Sequence, residues 1–237
     1  MKIEVWSDFA CPFCFIGKQR FETALEQFAN KDDVKVVFKS FELDPHAPKS
    51  VNHDVHDMLV GKYGMSRQQA ITMNNNIGKE AEDAGLAFQF DSIKLTNTFD
   101  AHRLAKYASE QGKERILQGF FKAYFTEGRH LGDHETLIEL AVQAGFNEDE
   151  IRHVVGGDDY AKEVRADEEE AQRLGATGVP FFVIDRKYAL SGAQSSDKFL
   201  QALTTAWKES QPLQVLNDTT MDSESTDTCS DGACSIK

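Results

Sequence analysis

The sequence predicts an α/β fold in which two short strand–helix modules flank a long run of helices. Three observations carry this. Residues 2–7 and 34–43 alternate apolar and polar side chains at strand period, with a helical pattern between them. Residues 179–192 read as a β-hairpin that leads into a last helix. The stretch between them has helical spacing punctuated by glycines. With 237 residues, 41% of them hydrophobic, the chain can bury a sizeable core, either as one large domain or as one domain with an insertion.

In "KIEVWS" (2–7), Ile3 and Val5 alternate with Glu4 and Trp6, as in a strand. "DFAC" turns the chain. Pro12 suits the first turn of a helix, where its missing N–H costs nothing. Phe21, Ala24, Leu25 and Phe28 continue that helix to about Asn30. "VKVVFKSFEL" (34–43) is a second strand with Val34, Val36 and Phe38 on one face. After "DPHAPKS", helices are expected near 52–63, 66–84, 98–111, 113–127, 133–144, 148–155 and 159–174. Gly85, Gly112, Gly128 and Gly145 sit where helices stop, and Asn147 with Glu150 has capping-box spacing. Strands at 179–185 and 188–192 precede a helix near 195–209, and the last residues are small and polar. This organises the chain as 1–45 with 175–209, an insertion at 46–174, and a flexible tail at 210–237. The flanking modules share one sheet if the chain doubles back.

The net charge of −13 excludes phosphate-rich partners, so neither nucleic acid nor an anionic membrane is expected. No apolar run approaches the roughly 18 residues of a membrane span. Glu4 and Asp8 interrupt any signal-peptide core, which points to the cytoplasm. The four cysteines form two close pairs, Cys11/Cys14 and Cys229/Cys234, too few for a disulfide scaffold.

"CPFC" places Cys11 directly before a helix and Cys14 one turn into it. A free thiol, with a pKa of about 8.5, is mostly protonated at neutral pH, and a helix start favours the thiolate. Cys11 therefore attacks, and Cys14 can break the resulting mixed disulfide. Two plainer readings compete: half of a zinc site, or two inert thiols. Zinc wants four ligands, and the seven histidines are scattered, with His53/His56 and His130/His134 the close pairs. No metal is expected. "GATGVPFFV" is the second feature. Pro180, at a strand start, suits a cis Val179–Pro180 bond, and having no N–H it leaves adjacent backbone free to pair with an extended substrate. By itself it is equally an ordinary strand-start proline.

Together, "SDFACPFCFIGK", "TNTFDAHRLAKYA" and "GATGVPFFVIDRKYALSGAQ" resemble the FrnE-type branch of the DsbA-like thioredoxin superfamily, over about residues 1–208. The resemblance implies a thioredoxin-like fold with a large α-helical insertion. It implies catalysis by Cys11 and Cys14 with Pro180 in a cis-proline loop, and substrate bordered by Val179, Pro12 and Phe13. The activity implied is thiol–disulfide exchange with protein or peptide thiols and disulfides, without a bound organic cofactor and with glutathione or a thioredoxin-type protein as candidate reductant. Related branches, the kappa-type glutathione transferases and 2-hydroxychromene-2-carboxylate isomerases, carry serine at the position of Cys11 and use glutathione. They supply the alternative reading, a glutathione-dependent isomerase or transferase. The strongly oxidising members have histidine where Phe13 stands, so a potential of roughly −180 to −250 mV and reductase or isomerase action are expected.

Asp231–Gly232 can turn the chain between Cys229 and Cys234. A linker of about twenty residues spans roughly 25 Å, enough to reach the same domain. The pair is thus a candidate second redox centre, against the plainer reading of a solvated tail. Asp8 reads as a loop or cap carboxylate, or as one shaping the thiolate's field. Thr98 reads as a helix N-cap and, with Asn97, lies near the cleft by resemblance. His102 reads as a helix-packing histidine rather than a base. Phe120, Phe121, Tyr124 and Phe125 read as core, and "ADEEEAQR" as a solvated helix face.

Overall fold

The computed structural model describes residues 1–112 and 115–210, so Cys229 and Cys234 lie outside the described residues. Four strands form one mixed sheet in the order β2–β1–β3–β4. They are β1 (Lys2–Ser7), β2 (Lys35–Ser40), β3 (Phe181–Ile184) and β4 (Tyr188–Ser191). β1 lies parallel to β2, with Val5 opposite Phe38, and antiparallel to β3, with Val5 opposite Phe182. A parallel pair needs a crossover, and α1 (Pro12–Gln27) supplies it. The chain does double back: β3 returns to β1 after the whole helical block.

Strand period sorts the side chains onto two faces. Ile3, Val5, Phe182 and Ile184 face α1 and α9 (Ser196–Ser210), meeting Phe21, Ala24, Phe199 and Leu203. Trp6, Phe181 and Val183 face the other way, against Ala171 of α8 (Ala161–Arg173). β2 ends at Ser40 rather than at Leu43. Phe41 N–H still donates to Ser7 O of β1, but the N–H groups of Glu42 and Leu43 donate to Glu168 Oε1 and Asp8 Oδ2, so the chain leaves the sheet for side-chain acceptors.

Between β2 and β3 lie α2 (Val55–Tyr63), α3 (Arg67–Asp83), α4 (Phe99–Glu110), α5 (Arg115–Phe125), α6 (His134–Gln143), α7 (Glu148–Gly156) and α8. Gly85 after α3 and Gly145 after α6 take φ of 77° and 88°, the left-handed geometry that ends a helix. Asn147 caps α7 by accepting from the N–H groups of Asp149 and Glu150. Phe120, Phe121, Tyr124 and Phe125 are buried, and the rings of Phe9 and Phe15 pack on Phe121 at 5.1 and 5.0 Å. This aromatic core takes in both Cys11 and Cys14.

The segment "ADEEEAQR" departs from the expected solvated face. Asp167 is buried. It accepts from Ser40 N–H and Lys39 Nζ and pairs with Lys106, while its carbonyl accepts from Trp6 Nε1. A helix laid across a sheet must turn one side inward, and the acids on that side are held by cations from β2 and α4.

Candidate active site

β1 brings the chain to the edge of the aromatic core, and the Asp8–Ala10 turn aims it into α1. Cys11 is the N-cap residue, extended at φ −94° and ψ 114°, with Pro12 in the first turn. The Cys11 carbonyl accepts from Cys14 N–H at 3.1 Å. Both sulfurs are reduced, and both residues are buried, Cys11 at 4% and Cys14 at 1% relative exposure. Around Cys11 the neighbours Ala10, Pro12, Phe13 and Val179 are half-buried.

The Val179–Pro180 peptide is cis. The Cys11 thiol donates to Val179 O at 3.6 Å, across 168 residues of sequence. Pro180 O accepts from Gly192 N–H at 2.8 Å. On the other side, α1 comes close enough that a Cβ on Gly17 would lie 3.0 Å from Pro180 Cγ. The structure therefore brings together Cys11, Cys14, Pro12, Phe13, Val179 and Pro180.

Burial pushes the Cys14 thiol well above its ordinary value, and neighbouring Cys11 adds to this. The Ser7 hydroxyl and the Asp8 N–H, which donates to Cys14 Sγ at 3.4 Å, oppose it in part. Cys14 thus rests as a protonated thiol inside the protein.

Beneath them lies a polar group of which the sequence shows only fragments. The Asp8 carboxylate is buried. Its Oδ1 accepts from Ala10 N–H at 3.2 Å and from the Thr98 hydroxyl at 2.8 Å, and its Oδ2 accepts from Leu43 N–H at 2.7 Å. Burial alone would raise its pKa, but His102 and these donors hold it below the ordinary carboxylate range. Thr98 does occupy the N-cap of α4, yet it makes no capping bond. Its hydroxyl serves Asp8, and Asn97 Oδ1 accepts from Phe99 N–H instead. The His102 ring lies 4.8 Å from that of Phe9, and its Nε2 is 3.5 Å from Asp8 Oδ1, without a hydrogen-bond partner among the described residues. Asp8 is legible in the sequence as an acid near a cysteine pair. Leu43 N–H and Ser7 carry no signal there.

Among the described residues no three His, Cys, Asp or Glu side chains gather as a metal-ligand group, and no helix is long and apolar enough to cross a membrane.

The family model described as a DSBA-like thioredoxin domain matches residues 2–204. A solved structure from Streptomyces coelicolor, described as a "probable DsbA oxidoreductase", is 48% identical. The match covers 92% of this chain and 94% of that one, with a TM-score of 0.86. YwbO, an uncharacterized protein of Bacillus subtilis (strain 168), is 29% identical over 87% of this chain and 98% of its own length. Two more distant structures share the fold. A 2-hydroxychromene-2-carboxylate isomerase is 16% identical over 88% and 95% of the two chains, with a TM-score of 0.63. The cytosolic disulfide reductase DsbM of Pseudomonas aeruginosa, solved with GSH, is 18% identical over 88% and 100%, with a TM-score of 0.58.

Proposed function

We propose that this chain, which belongs to the DSBA-like thioredoxin domain family of thiol–disulfide oxidoreductases, reduces or isomerises disulfides in protein or peptide substrates through Cys11 and Cys14. Membership rests on the match over residues 2–204. The observation that carries the rest is the asymmetric dithiol beside the cis-proline loop: Cys11 caps α1 at 3.6 Å from Val179 O, while Cys14, one turn on, is held protonated.

Cys11 as thiolate attacks one sulfur of the substrate disulfide. A Cys11–substrate bond forms, and the other substrate sulfur leaves as a thiolate. Cys14 then attacks Cys11 Sγ, closing the Cys11–Cys14 disulfide and releasing the second substrate thiolate. The substrate disulfide gains two electrons and the protein dithiol loses them. Glutathione or a thioredoxin-type dithiol returns them. Val179, freed from Cys11, offers its carbonyl to an extended substrate backbone, and Pro12 and Phe13 border its side chains. The reductase direction matches a cytoplasmic setting and the absence of histidine in the CPFC dipeptide. Cys229 and Cys234 enter this cycle as a tethered second pair that exchanges with Cys11 and Cys14.

The alternative, a glutathione-dependent isomerase, draws on the shared fold and the "NTFDAHR" segment. It predicts an activity that requires glutathione and survives Cys14→Ser.

The test is reduction of insulin disulfides by dithiothreitol, comparing wild type with Cys11→Ser, Cys14→Ser and the double change Cys229→Ser/Cys234→Ser. We expect Cys11→Ser to abolish turnover and Cys14→Ser to accumulate a covalent mixed disulfide visible by mass. Loss of turnover in the double variant makes the tail pair a relay, and unchanged turnover removes it from the cycle. An inactive wild type overturns the oxidoreductase reading.

A further inference from the structure

Resolution requires Cys14 to lose a proton, yet Cys14 is 1% exposed. The Asp8 carboxylate is a weak base for that proton, because His102 and its backbone donors hold it below the ordinary carboxylate range. Two observations show another destination. Ser7, whose hydroxyl side chain sits beside Cys14 and favours its thiolate, also lines a cavity of about 20 Å³. That volume accommodates one water, and the walls supply polar partners from Ser7, Ser40, Ser109 and Lys106. The same cavity is lined by His102, whose buried Nε2 has no hydrogen-bond partner among the described residues and lies 3.5 Å from Asp8 Oδ1. A buried imidazole nitrogen left unpaired is costly, so it calls for an explanation.

We propose that His102, a residue of the helical block, is the acceptor of the Cys14 proton, reached through the Ser7 hydroxyl and the cavity, with Asp8 holding the imidazolium. The inference rests on the oxidoreductase reading above. When Cys14 attacks Cys11 Sγ of the mixed disulfide, the Cys14 S–H bond breaks and its proton passes by way of Ser7 to His102 Nε2. The Cys14–Cys11 bond forms, and the substrate thiolate leaves and takes a proton from solvent. A protonated Nε2 has the Asp8 carboxylate, 3.5 Å away, as its partner. The charged groups that face His102 come from every side. Asp8 from the turn before α1 and Glu42 from beyond β2 favour the imidazolium, while Lys39 of β2 and Lys106 of α4 across the cavity oppose it. His102 is a positioning residue for the proton and touches no substrate. The sequence pattern suggests a packing role only, because the unpaired nitrogen and the cavity exist only in three dimensions.

The test uses the full chain with Cys229→Ser and Cys234→Ser, so that only Cys11 and Cys14 react, and 5,5′-dithiobis(2-nitrobenzoate) as a chromogenic disulfide in stopped flow. Attack by Cys11 releases the first equivalent of nitrothiobenzoate, and resolution by Cys14 releases the second. We expect His102→Gln to leave the first phase unchanged and to slow the second roughly 100-fold, the low end of what a placed proton acceptor contributes. In that variant the second phase should rise about tenfold per pH unit, as for a thiol that ionises directly to solvent. A second phase equal to the parent's, or equal slowing of both phases, overturns the proposal. If His102→Gln does not fold, Ser7→Ala and the solvent deuterium effect on the parent chain decide. A slowed second phase in Ser7→Ala and an isotope effect confined to that phase support the route, and absence of both overturns it. If the parent releases no nitrothiobenzoate, the oxidoreductase reading fails and the relay falls with it. A normal first phase with an unaltered second phase removes the relay alone.

Discussion

Helix α1 buries a side in each of two cores, and the two differ in kind. Toward the sheet, Phe21, Ala24 and Phe28 pack with Ile3, Val5, Phe182 and Phe199. Toward α4 and α5, Cys14 and Phe15 pack with Phe9, Phe120 and Phe121, and this aromatic wall surrounds a buried acid, a histidine and both thiols. The first core holds the backbone of β1 and α1 where the thiols must be. The second supplies what tunes them, at the cost of burying polar groups that need partners. A helical block inserted into a small α/β module thus does more than cover one end of it. It brings Thr98 and His102 to the floor of the dithiol.

The sharpest way to break this division is to open a hole in each core. Phe121→Ala and Phe199→Ala should each cost about 3–5 kcal/mol, since both rings are buried against other aromatics. Urea unfolding measures this. The division predicts that, per folded molecule, only Phe121→Ala slows thiol exchange, because its ring supports Phe9 and Phe15. Equal losses of exchange in the two variants would show that both cores tune the site.

A smaller effect tests the polar floor. Asp8→Asn should cost about 2 kcal/mol near neutral pH, from hydrogen bonds to a buried charge. The Asp8 carboxyl titrates below its ordinary 3.8 in the folded state. Its contribution is therefore complete above about pH 4 and is lost as pH falls through the lowered value. The stability gap between wild type and Asp8→Asn should narrow below pH 4 and be constant from pH 5 to 8. A gap that persists undiminished at pH 2 would mean that the ionised carboxylate is not what the floor stabilises.

The smallest expected change joins the two regions at the cis-proline loop. In Gly17→Ala, helix propensity gains about 1 kcal/mol. Crowding costs about 1–3 kcal/mol, because the new Cβ would lie 3.0 Å from Pro180 Cγ and 3.4 Å from Ala193 Cα. We expect a net loss near 1 kcal/mol and a disproportionate fall in insulin reduction, as the loop shifts away from Cys11. A variant that exchanges thiols as fast as wild type would show that the spacing between α1 and this loop is not limiting.

Much of the scaffold is legible in short stretches of sequence. The strands at 2–7 and 188–192, the helix starts at Pro12 and after Asn147, and the stops at Gly85 and Gly145 all follow from patterns a few residues long. The misreadings share one cause. Leu43 extends the alternation of β2, but its N–H is claimed by Asp8. Thr98 does stand at the N-cap that its residue type suggests, but its hydroxyl is claimed by the same carboxylate instead of capping the helix. Asp167 sits in an acidic stretch that suits solvent, but Lys39, Lys106 and the Ser40 N–H turn it inward. In each case a partner remote in sequence overrides a sound local preference.

By itself the sequence determined which residues are strand and helix, and that two cysteines share one turn at a helix start, because backbone propensity and side-chain period act between near neighbours. Only the tertiary structure decided what those cysteines face. The Cys11 thiol meets a carbonyl 168 residues away, and Asp8 gathers donors from positions 35 and 90 residues along the chain. Period and spacing carry no information about such pairs, whose geometry exists only once the sheet and the helical block have closed on α1.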